Sequence, residues 1–266
     1  MLQLLRRAYA ILKAYVLTDL VRSKGFVFGL LSISMWMLLF ITPMALFVDP
    51  SIGYSKLAGY AFTAMMIFLF YSTATWDWAA ELRWMINDGR LEYYIASGSG
   101  FLAHYLGIMP VSLMWISVSL AAGYIVLAVI WAPPELHIHS PVALFTGFTL
   151  LILNLIAYAL ILGGTMISSG VTGFVVEIVG FILPIATGGL TPLANLPKPL
   201  QLFALSTPFS YPAELIRYSL LAIPPVLELD KLAVRGAIYT TAFLLIAVAY
   251  FRYQLKKILR EGVRAT

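Results

Sequence analysis

The chain has 266 residues, of which 61% are hydrophobic and only 11% are Asp, Glu, Lys or Arg. Soluble globular chains have about 45–50% apolar and about 25% charged residues. The composition therefore excludes a soluble enzyme, a disordered tail and a nucleic-acid-binding domain. The absence of cysteine excludes disulfide frameworks and thiolate metal sites. We expect a single all-α integral membrane domain over residues 1–266.

Six segments predict membrane-spanning helices, because a bilayer core about 30 Å thick needs about 20 apolar residues in a helix. In chain order, the predicted spans 1 to 6 are residues 25–48, 57–76, 106–130, 142–166, 171–190 and 232–251. Residues 1–24 precede the spans, and a tail to residue 266 follows span 6. Residues 25–190 thus contain spans 1–5, and residues 232–266 contain span 6 and the tail.

The distribution of basic residues predicts the orientation. Six spans place both termini on the same side of the membrane. On that side lie 12 of the 17 Lys and Arg residues, and the opposite side has 5. Because cytoplasmic segments carry the excess of Lys and Arg, we expect a multi-pass protein of the cell membrane with both termini in the cytoplasm.

The first 24 residues have the pattern of an amphipathic helix. Their apolar residues recur at steps of three and four, which lines one helix face: Leu2, Leu5, Tyr9, Leu12, Val16 and Leu20. Such a helix can lie in the headgroup region and contact membrane lipids. The alternative is a simple cytoplasmic extension of span 1.

The segment between spans 2 and 3 is the most charged interior part of the chain. Six charged residues fall within 16 positions: Asp77, Glu81, Arg83, Asp88, Arg90 and Glu92. We expect helices on both sides of the turn at Asn87-Asp88-Gly89. The segment is either a docking surface for a cytoplasmic partner, since mixed charge gives specificity, or a solvated loop that balances charge.

Residues 191–231, between spans 5 and 6, hold 7 of the 14 prolines yet remain apolar. Proline breaks helices but is tolerated in their first turn. We therefore expect two short helices at 199–205 and 211–222, with Ser210 as N-cap of the second and Glu214 near its positive end. Short, proline-broken apolar helices indicate re-entrant elements on the outer face. Glu214 and Arg217 are three residues apart and can form a pair.

Few single residues suggest chemistry. Glu177 lies inside span 5, and intramembrane acids are candidates for a functional site, here in substrate passage or gating; the alternative is a structural or interfacial role. His137 and His139 in the outer loop have no evident third metal ligand. The chain has no Ser/His/Asp grouping and no phosphate-binding Gly-x-x-x-x-Gly-Lys-Ser/Thr motif. We therefore expect neither an enzyme nor a cofactor site in this chain.

Three stretches carry a resemblance to a known family. Residues 81–92 read Glu-Leu-Arg-Trp-Met-Ile-Asn-Asp-Gly-Arg-Leu-Glu, residues 188–197 read Gly-Gly-Leu-Thr-Pro-Leu-Ala-Asn-Leu-Pro, and residues 207–217 read Thr-Pro-Phe-Ser-Tyr-Pro-Ala-Glu-Leu-Ile-Arg. In this order on six spans, they resemble the ABC-2 class of ABC transporter permeases. Arg90 stands where that family usually has Thr, and Gly98 lies where its turn has a proline.

The resemblance implies an ATP-driven exporter. Two permease protomers, identical or different, would pair with two cytoplasmic ATP-binding subunits, which would carry ATP and Mg. The coupling helix that receives their motion would contain Glu81, Arg83, Asp88, Arg90 and Glu92. The pathway or outer gate would involve Glu177, Pro208, Tyr211, Glu214 and Arg217.

Other functions stay open at this point. One alternative is an ATP-independent secondary transporter or a small membrane enzyme. Secondary transporters often contain inverted repeats with broken helices in both halves, whereas proline breaks the second half of this chain only. Another alternative is a non-transporting subunit of a membrane complex. The sequence does not identify a substrate.

Overall fold

A computed structural model describes residues 2–21, 28, 53–96, 101–169, 172–189 and 192–261. These ranges are mostly helical and contain no strand, as expected for the all-α class. Predicted span 1 lies outside them, apart from Phe28, which is helical. Residues 97–100, with the predicted Ser-Gly-Ser-Gly break, also lie outside the described ranges.

The described helices follow in chain order. They are α1 (Leu2–Tyr15), α2 (Tyr54–Thr73), α3 (Ala80–Asn87), α4 (Arg90–Ala96), α5 (Phe101–Ile130), α6 (Pro141–Ser169), α7 (Thr172–Ala186), α8 (Lys198–Leu205), α9 (Ser210–Leu221) and α10 (Leu229–Glu261). A π-helical turn at Val16–Val21 extends α1, and another at Ala74–Ala79 joins α2 to α3 without a break. A single 3-10 turn precedes α8, at Leu193–Asn195.

Four of the described helices are long and apolar enough to cross a membrane. They are Tyr54–Asn87, Ala103–Ile130, Pro141–Ile167 and Leu229–Ile258. Predicted spans 2, 3, 4 and 6 fall on these four helices. Predicted span 5 falls on α7, which has 15 residues and is shorter than the roughly 20 that a crossing needs. Gly188, with a φ of 66°, lies in the turn after α7.

Helix α6 lies at the centre of the described bundle and packs against α3, α9 and α10. Two glycines allow α9 to approach its neighbours closely. A Cβ atom added at Gly147 of α6 would lie 2.9 Å from Cγ1 of Ile216, and one at Gly236 of α10 would lie 2.9 Å from Cβ of Tyr211. Helix α9 is therefore wedged between two membrane-length helices.

Helix α1 packs along the first half of α5. A Cβ atom at Gly107 of α5 would lie 2.7 Å from Cβ of Ile11 and 2.8 Å from the carbonyl oxygen of Ala8. Leu5 and Tyr9, from the predicted apolar stripe, are 55% and 68% exposed. Helix α1 therefore has one face on the bundle and an apolar face that is available to lipid.

Candidate functional site

The charged segment forms a helical corner. Helix α3 ends at Asn87, and α4 begins at Arg90. Gly89 between them has a φ of 67°, a left-handed conformation that glycine adopts at little cost. The expected helices on both sides of this turn are confirmed. We call residues 87–90 the charged turn.

Glu81 is the buried centre of this corner. Its side chain is 8% exposed, and its Oε1 atom accepts a 2.7 Å hydrogen bond from the hydroxyl group of Tyr15 in α1. Nη1 of Arg90 lies 3.9 Å from the same oxygen. Glu81 thus connects the N-terminal helix to the charged turn.

Arg90 binds more closely to its neighbour in the turn. Its Nη2 and Nε atoms donate to Oδ2 of Asp88 at 2.6 and 3.0 Å. Both side chains are 55% exposed, so this contact lies at the surface. An exposed pair contributes little stability, but it fixes the direction in which the two charges point.

The five predicted coupling residues differ in their exposure. Asp88, Arg90 and Glu92 are exposed, Arg83 is half-buried and Glu81 is buried. The exposed charges lie beside two exposed aromatic residues, Trp84 at 48% and Tyr93 at 81%. The turn and its aromatic neighbours are therefore accessible at the surface, whereas Glu81 supports the corner from inside.

The charged turn rests on two long helices through an apolar cluster. Leu82 and Met85 of α3 and Leu91 of α4 are buried in it. The other buried members are Ile167 of α6, and Phe251 and Ile258 of α10. Displacement of the turn therefore acts directly on α6 and α10.

A cavity of about 180 Å³ lies between α1, α3 and α5. Its lining includes Asp77, Glu81 and Trp115. Ser112 donates to Oδ2 of Asp77 at 3.3 Å and accepts from Nε1 of Trp78 at 3.1 Å. Asp77 is therefore held by a polar chain from α5 and faces the interior of the bundle.

The proline-rich segment contains the two short helices predicted at 199–205 and 211–222, each observed one residue earlier at its start. Helices α8 and α9 form a hairpin whose turn is residues 206–209, and we call residues 198–221 the inserted hairpin. The hydroxyl group of Tyr211 donates to the carbonyl oxygen of Leu205 at 2.6 Å and closes the hairpin. The prediction that Ser210 caps α9 was wrong, because Phe209 occupies the N-cap position.

The turn of the inserted hairpin reaches the middle of the bundle. Nδ2 of Asn154, near the midpoint of α6, donates to the carbonyl oxygen of Pro208 at 2.9 Å. The ring of Phe209 makes edge contacts with three other rings, each near the middle of its helix. Centroid distances are 5.4 Å to Tyr71, 5.6 Å to Phe243 and 6.2 Å to Tyr158.

Arg217 fastens the hairpin to two other elements. It is 1% exposed, and its Nη1 atom donates to the carbonyl oxygen of Thr187 at 2.5 Å, just beyond α7. Its guanidinium carbon lies 5.2 Å from the ring centroid of Tyr60 in α2, a cation–π geometry. The hydroxyl group of Tyr60 donates to the carbonyl oxygen of Gly188. These contacts, which we call the arginine clasp, join α2, α9 and the end of α7.

Glu214, one turn before Arg217, has a different partner. It is 4% exposed, and its Oε2 atom accepts a 3.1 Å bond from the backbone nitrogen of Val226. Burial raises the pKa of Glu214, while the charge of Arg217 and the Val226 bond act in the opposite direction. Glu214 and Arg217, which were predicted to form a pair, therefore contact separate elements. Arg217 binds a carbonyl oxygen beyond the end of α7, where a helix terminus leaves carbonyls unpaired.

Glu177 is not part of either group of contacts. It is exposed on α7, beside the exposed side chains of Phe174 and Ile178. Ten residues of helix separate it from Thr187, a distance of about 15 Å. The structure therefore does not bring Glu177 to the arginine clasp.

The loop at residues 131–140, predicted to be on the outer side, lies against the C-terminal end of α9. The backbone nitrogens of His137 and His139 donate to the carbonyl oxygens of Leu220 and Ser219 at 3.0 and 2.8 Å. These bonds satisfy carbonyls that the end of a helix leaves unpaired. Among the described residues, no three His, Asp or Glu side chains are grouped to hold a metal ion.

Several residues in these contacts escaped the sequence analysis, among them Tyr15, Tyr60, Asn154 and Thr187. Asn154 had a signal, because it is the single amide side chain in predicted span 4, and polar groups in spans usually bind across helices. The two tyrosines and Thr187 had none, since their partners lie far away in sequence.

The chain matches no family model, and no curated protein resembles its sequence. Its function is therefore argued from the geometry.

Proposed function

We propose that the chain is the membrane-spanning permease subunit of an ATP-driven exporter of the ABC-2 class. Two protomers would enclose the pathway, and two cytoplasmic ATP-binding subunits would supply the energy. ATP and Mg would bind to those subunits and not to this chain. In this proposal both termini are cytoplasmic, and predicted spans 1 and 5 complete a set of six.

The observation that carries the proposal is the helix Tyr54–Asn87 with the charged turn at its end. Its 34 residues measure about 51 Å at 1.5 Å per residue, whereas the hydrocarbon core is about 30 Å thick. About 20 Å therefore remain for a cytoplasmic extension. This extension ends in exposed charges and is braced inside by Glu81, which suits a coupling helix that receives force.

The packing supports a route from the charged turn to the inserted hairpin. Leu82 and Leu91 share one apolar cluster with α6 and α10. The same two helices hold the hairpin, α6 through Asn154 and α10 through its close approach at Gly236. A partner that pushes the turn would thus move the two helices that grip the hairpin.

In the proposal, the inserted hairpin is the re-entrant outer gate. Its turn reaches the middle of three membrane-length helices, and the arginine clasp fastens its second helix to α2 and to the end of α7. Opening would break the clasp or carry all three elements together. Pro208, Tyr211, Glu214 and Arg217 would be gate residues.

The test is purification of the tagged chain from its native membranes under mild detergent, followed by reconstitution. We expect a co-purifying ATPase whose activity is coupled to export. Arg90→Glu should leave the complex assembled but reduce coupled transport at least tenfold, because it reverses the exposed charge of the turn.

The matched control is Glu228→Gln, which alters another exposed ion pair, with Lys231 at 2.9 Å. It should transport normally. Normal coupling in the Arg90→Glu variant would remove the assigned role of the turn. A chain that transports without any ATPase would support a secondary transporter instead.

A further inference from the structure

Helix α10 has two faces along its whole length. The buried positions Leu232, Gly236, Thr240, Ala247, Phe251 and Ile258 lie on one side and pack against the bundle. The opposite side is exposed. At about 100° per residue, the exposed side chains at positions 234, 238, 245, 252, 256 and 260 fall within a sector of about 80°.

The exposed face changes from apolar to cationic along one line. Val234, Ile238 and Leu245 are 60%, 62% and 67% exposed. Further along the same line, Arg252, Lys256 and Arg260 are also exposed. None of these three cations forms an ion pair with a described residue. We call them the basic stripe.

The change in chemistry occurs at the depth of the charged turn. Phe251 and Ile258 share an apolar cluster with Leu82 and Leu91, which flank the charged turn, so Arg252 to Arg260 lie beside that turn. Tyr253, 64% exposed, lies among the cations, and tyrosine is favoured where hydrocarbon meets headgroups. The apolar part of the line thus faces acyl chains, and the basic stripe faces headgroups.

We propose that the basic stripe binds the headgroups of anionic phospholipids while their acyl chains extend along the nearest apolar part of the line, at Leu245, about 10 Å from Arg252 at 1.5 Å per residue. A phospholipid has this same order of charge and hydrocarbon. An acidic protein would match the cations but not the apolar line that leads into them. With cytoplasmic termini, as in the proposed function, the basic stripe lies at the inner leaflet. The lipid binding itself does not depend on this orientation.

A bound lipid would also affect the packing of α10 beside the charged turn. A headgroup on the basic stripe neutralises one side of α10 while the other side of the same helix holds Leu82 and Leu91. Anionic lipid should therefore stabilise the packing of α10 against the residues that flank the charged turn. Zwitterionic lipid offers no net charge to the stripe.

The test measures lipid binding to the full-length purified chain by native mass spectrometry, with phosphatidylglycerol and phosphatidylcholine as probes. We expect phosphatidylglycerol to bind more tightly. In the triple variant R252Q/K256Q/R260Q, we expect its affinity to fall about 100-fold, since each of the three cations near an anionic surface contributes about fivefold. The affinity for phosphatidylcholine should not change.

The matched control removes the same charge elsewhere, in the triple variant K56Q/K198Q/K231Q, whose three lysines are exposed. This control should bind phosphatidylglycerol as the unaltered chain does. Equal losses in both triple variants would reduce the effect to net charge and overturn the proposal. Binding of polyglutamate to the stripe as tight as that of phosphatidylglycerol would overturn it in favour of an acidic protein partner.

Separate controls show whether the triple substitutions alter the fold and whether the lipid result depends on the exporter proposal. All three substituted side chains are exposed, so circular dichroism and gel filtration should show an unchanged helical content and size. The measurement needs no ATPase partner. A failed proposal for the basic stripe therefore leaves the exporter proposal standing, and failure to find an ATPase leaves the lipid result interpretable.

Discussion

The side-chain amide of Asn154 donates a hydrogen bond to the backbone carbonyl oxygen of Pro208 at 2.9 Å. Asn154 is fully buried near the midpoint of α6, and Pro208 lies in the turn of the inserted hairpin. Pro208 has no backbone N–H group, but its carbonyl oxygen needs a hydrogen-bond donor, and a turn at this depth leaves carbonyls without water. One amide from a neighbouring helix therefore holds the hairpin at its deepest point.

The first prediction concerns this contact. Asn154→Leu should destabilise the chain by about 1–3 kcal/mol, because it leaves a buried carbonyl without a donor. Thermal unfolding in detergent measures the change. Thr149→Val is the control, because Thr149 lies exposed on the same helix and bonds only to its own turn, at the oxygen of Phe145. An equal effect of the two substitutions would show that the Pro208 contact has no special role.

The second prediction concerns the two buried charges of α9. Arg217→Met should cost about 3–5 kcal/mol, because it breaks the arginine clasp and leaves Glu214 buried without its neighbouring cation. Glu214→Gln alone should cost less, since an amide oxygen can still accept from Val226. The double variant should be less destabilised than the sum, with a coupling energy of about 0.5–3 kcal/mol.

The readout is the free energy of unfolding of all four proteins under one detergent condition. Arg217→Lys serves as a control for charge, because a lysine keeps the cation but lacks the guanidinium plane that lies over Tyr60. Purely additive single effects would mean that Glu214 and Arg217 act independently despite their adjacent turns.

The third prediction follows from the raised pKa of Glu214, which burial causes. A carboxyl group with a raised folded-state pKa binds its proton more tightly in the folded state. Its protonation therefore stabilises the fold fully below the unfolded pKa of about 4.3, and this stability is lost as the pH rises through the folded pKa.

Thermal unfolding of the unaltered chain and of Glu214→Gln from pH 4 to pH 8 tests this sign. Relative to the unaltered chain, Glu214→Gln should gain stability as the pH rises above about 4.3, and the difference should level off above the folded pKa. A difference that is constant with pH, or that runs the other way, would contradict the dominant role of burial.

The fourth prediction compares two glycines in apolar helices. Gly107→Ala should destabilise the packing of α1 on α5, because its Cβ atom would lie 2.7 Å from Ile11 and 2.8 Å from the backbone oxygen of Ala8. Gly180→Ala meets no atom within 4 Å. That variant should gain up to about 1 kcal/mol from the better helix propensity of alanine.

Limited proteolysis with trypsin, followed at the exposed Lys13 of α1, reports on this packing. We expect faster cleavage after Lys13 in Gly107→Ala and an unchanged rate in Gly180→Ala. Unchanged cleavage in both variants would mean that α1 adjusts without leaving α5.

Much of the helical layout could be predicted from the sequence, for reasons that are local. Predicted spans 2, 3, 4 and 6 coincide with long helices because uninterrupted apolar runs are themselves the signal. The short helices of the inserted hairpin were predicted to within one residue, because Pro199 and Pro212 each fall in a first turn, where proline is tolerated. The charged turn was also predicted locally, because glycine, here Gly89, adopts a left-handed conformation at little cost.

The contacts within the candidate site could not be predicted in this way. Glu81 looks like one more charge in a solvated segment, and only the position of Tyr15, 66 residues earlier, makes it the buried centre of the corner. Arg217 lies within reach of Glu214 by helix spacing, yet it contacts Thr187 and Tyr60 instead. Such choices depend on which helices lie side by side, and local patterns do not encode that.

The π-helical turn at Ala74–Ala79 has a consequence for how the chain tolerates change. A π turn accommodates an extra residue within an α-helix, and it takes up the rotation of about 100° that this residue would otherwise impose on everything that follows it. Removal of one residue from Ala74–Ala79 would therefore restore a plain α-helix and leave Glu81 facing Tyr15. Removal of a second residue, with no π turn left to absorb it, would rotate Glu81 by about 100° relative to Tyr54–Thr73 and out of reach of Tyr15. The helix Tyr54–Asn87 is therefore expected to tolerate the loss of one residue in this stretch but not of two.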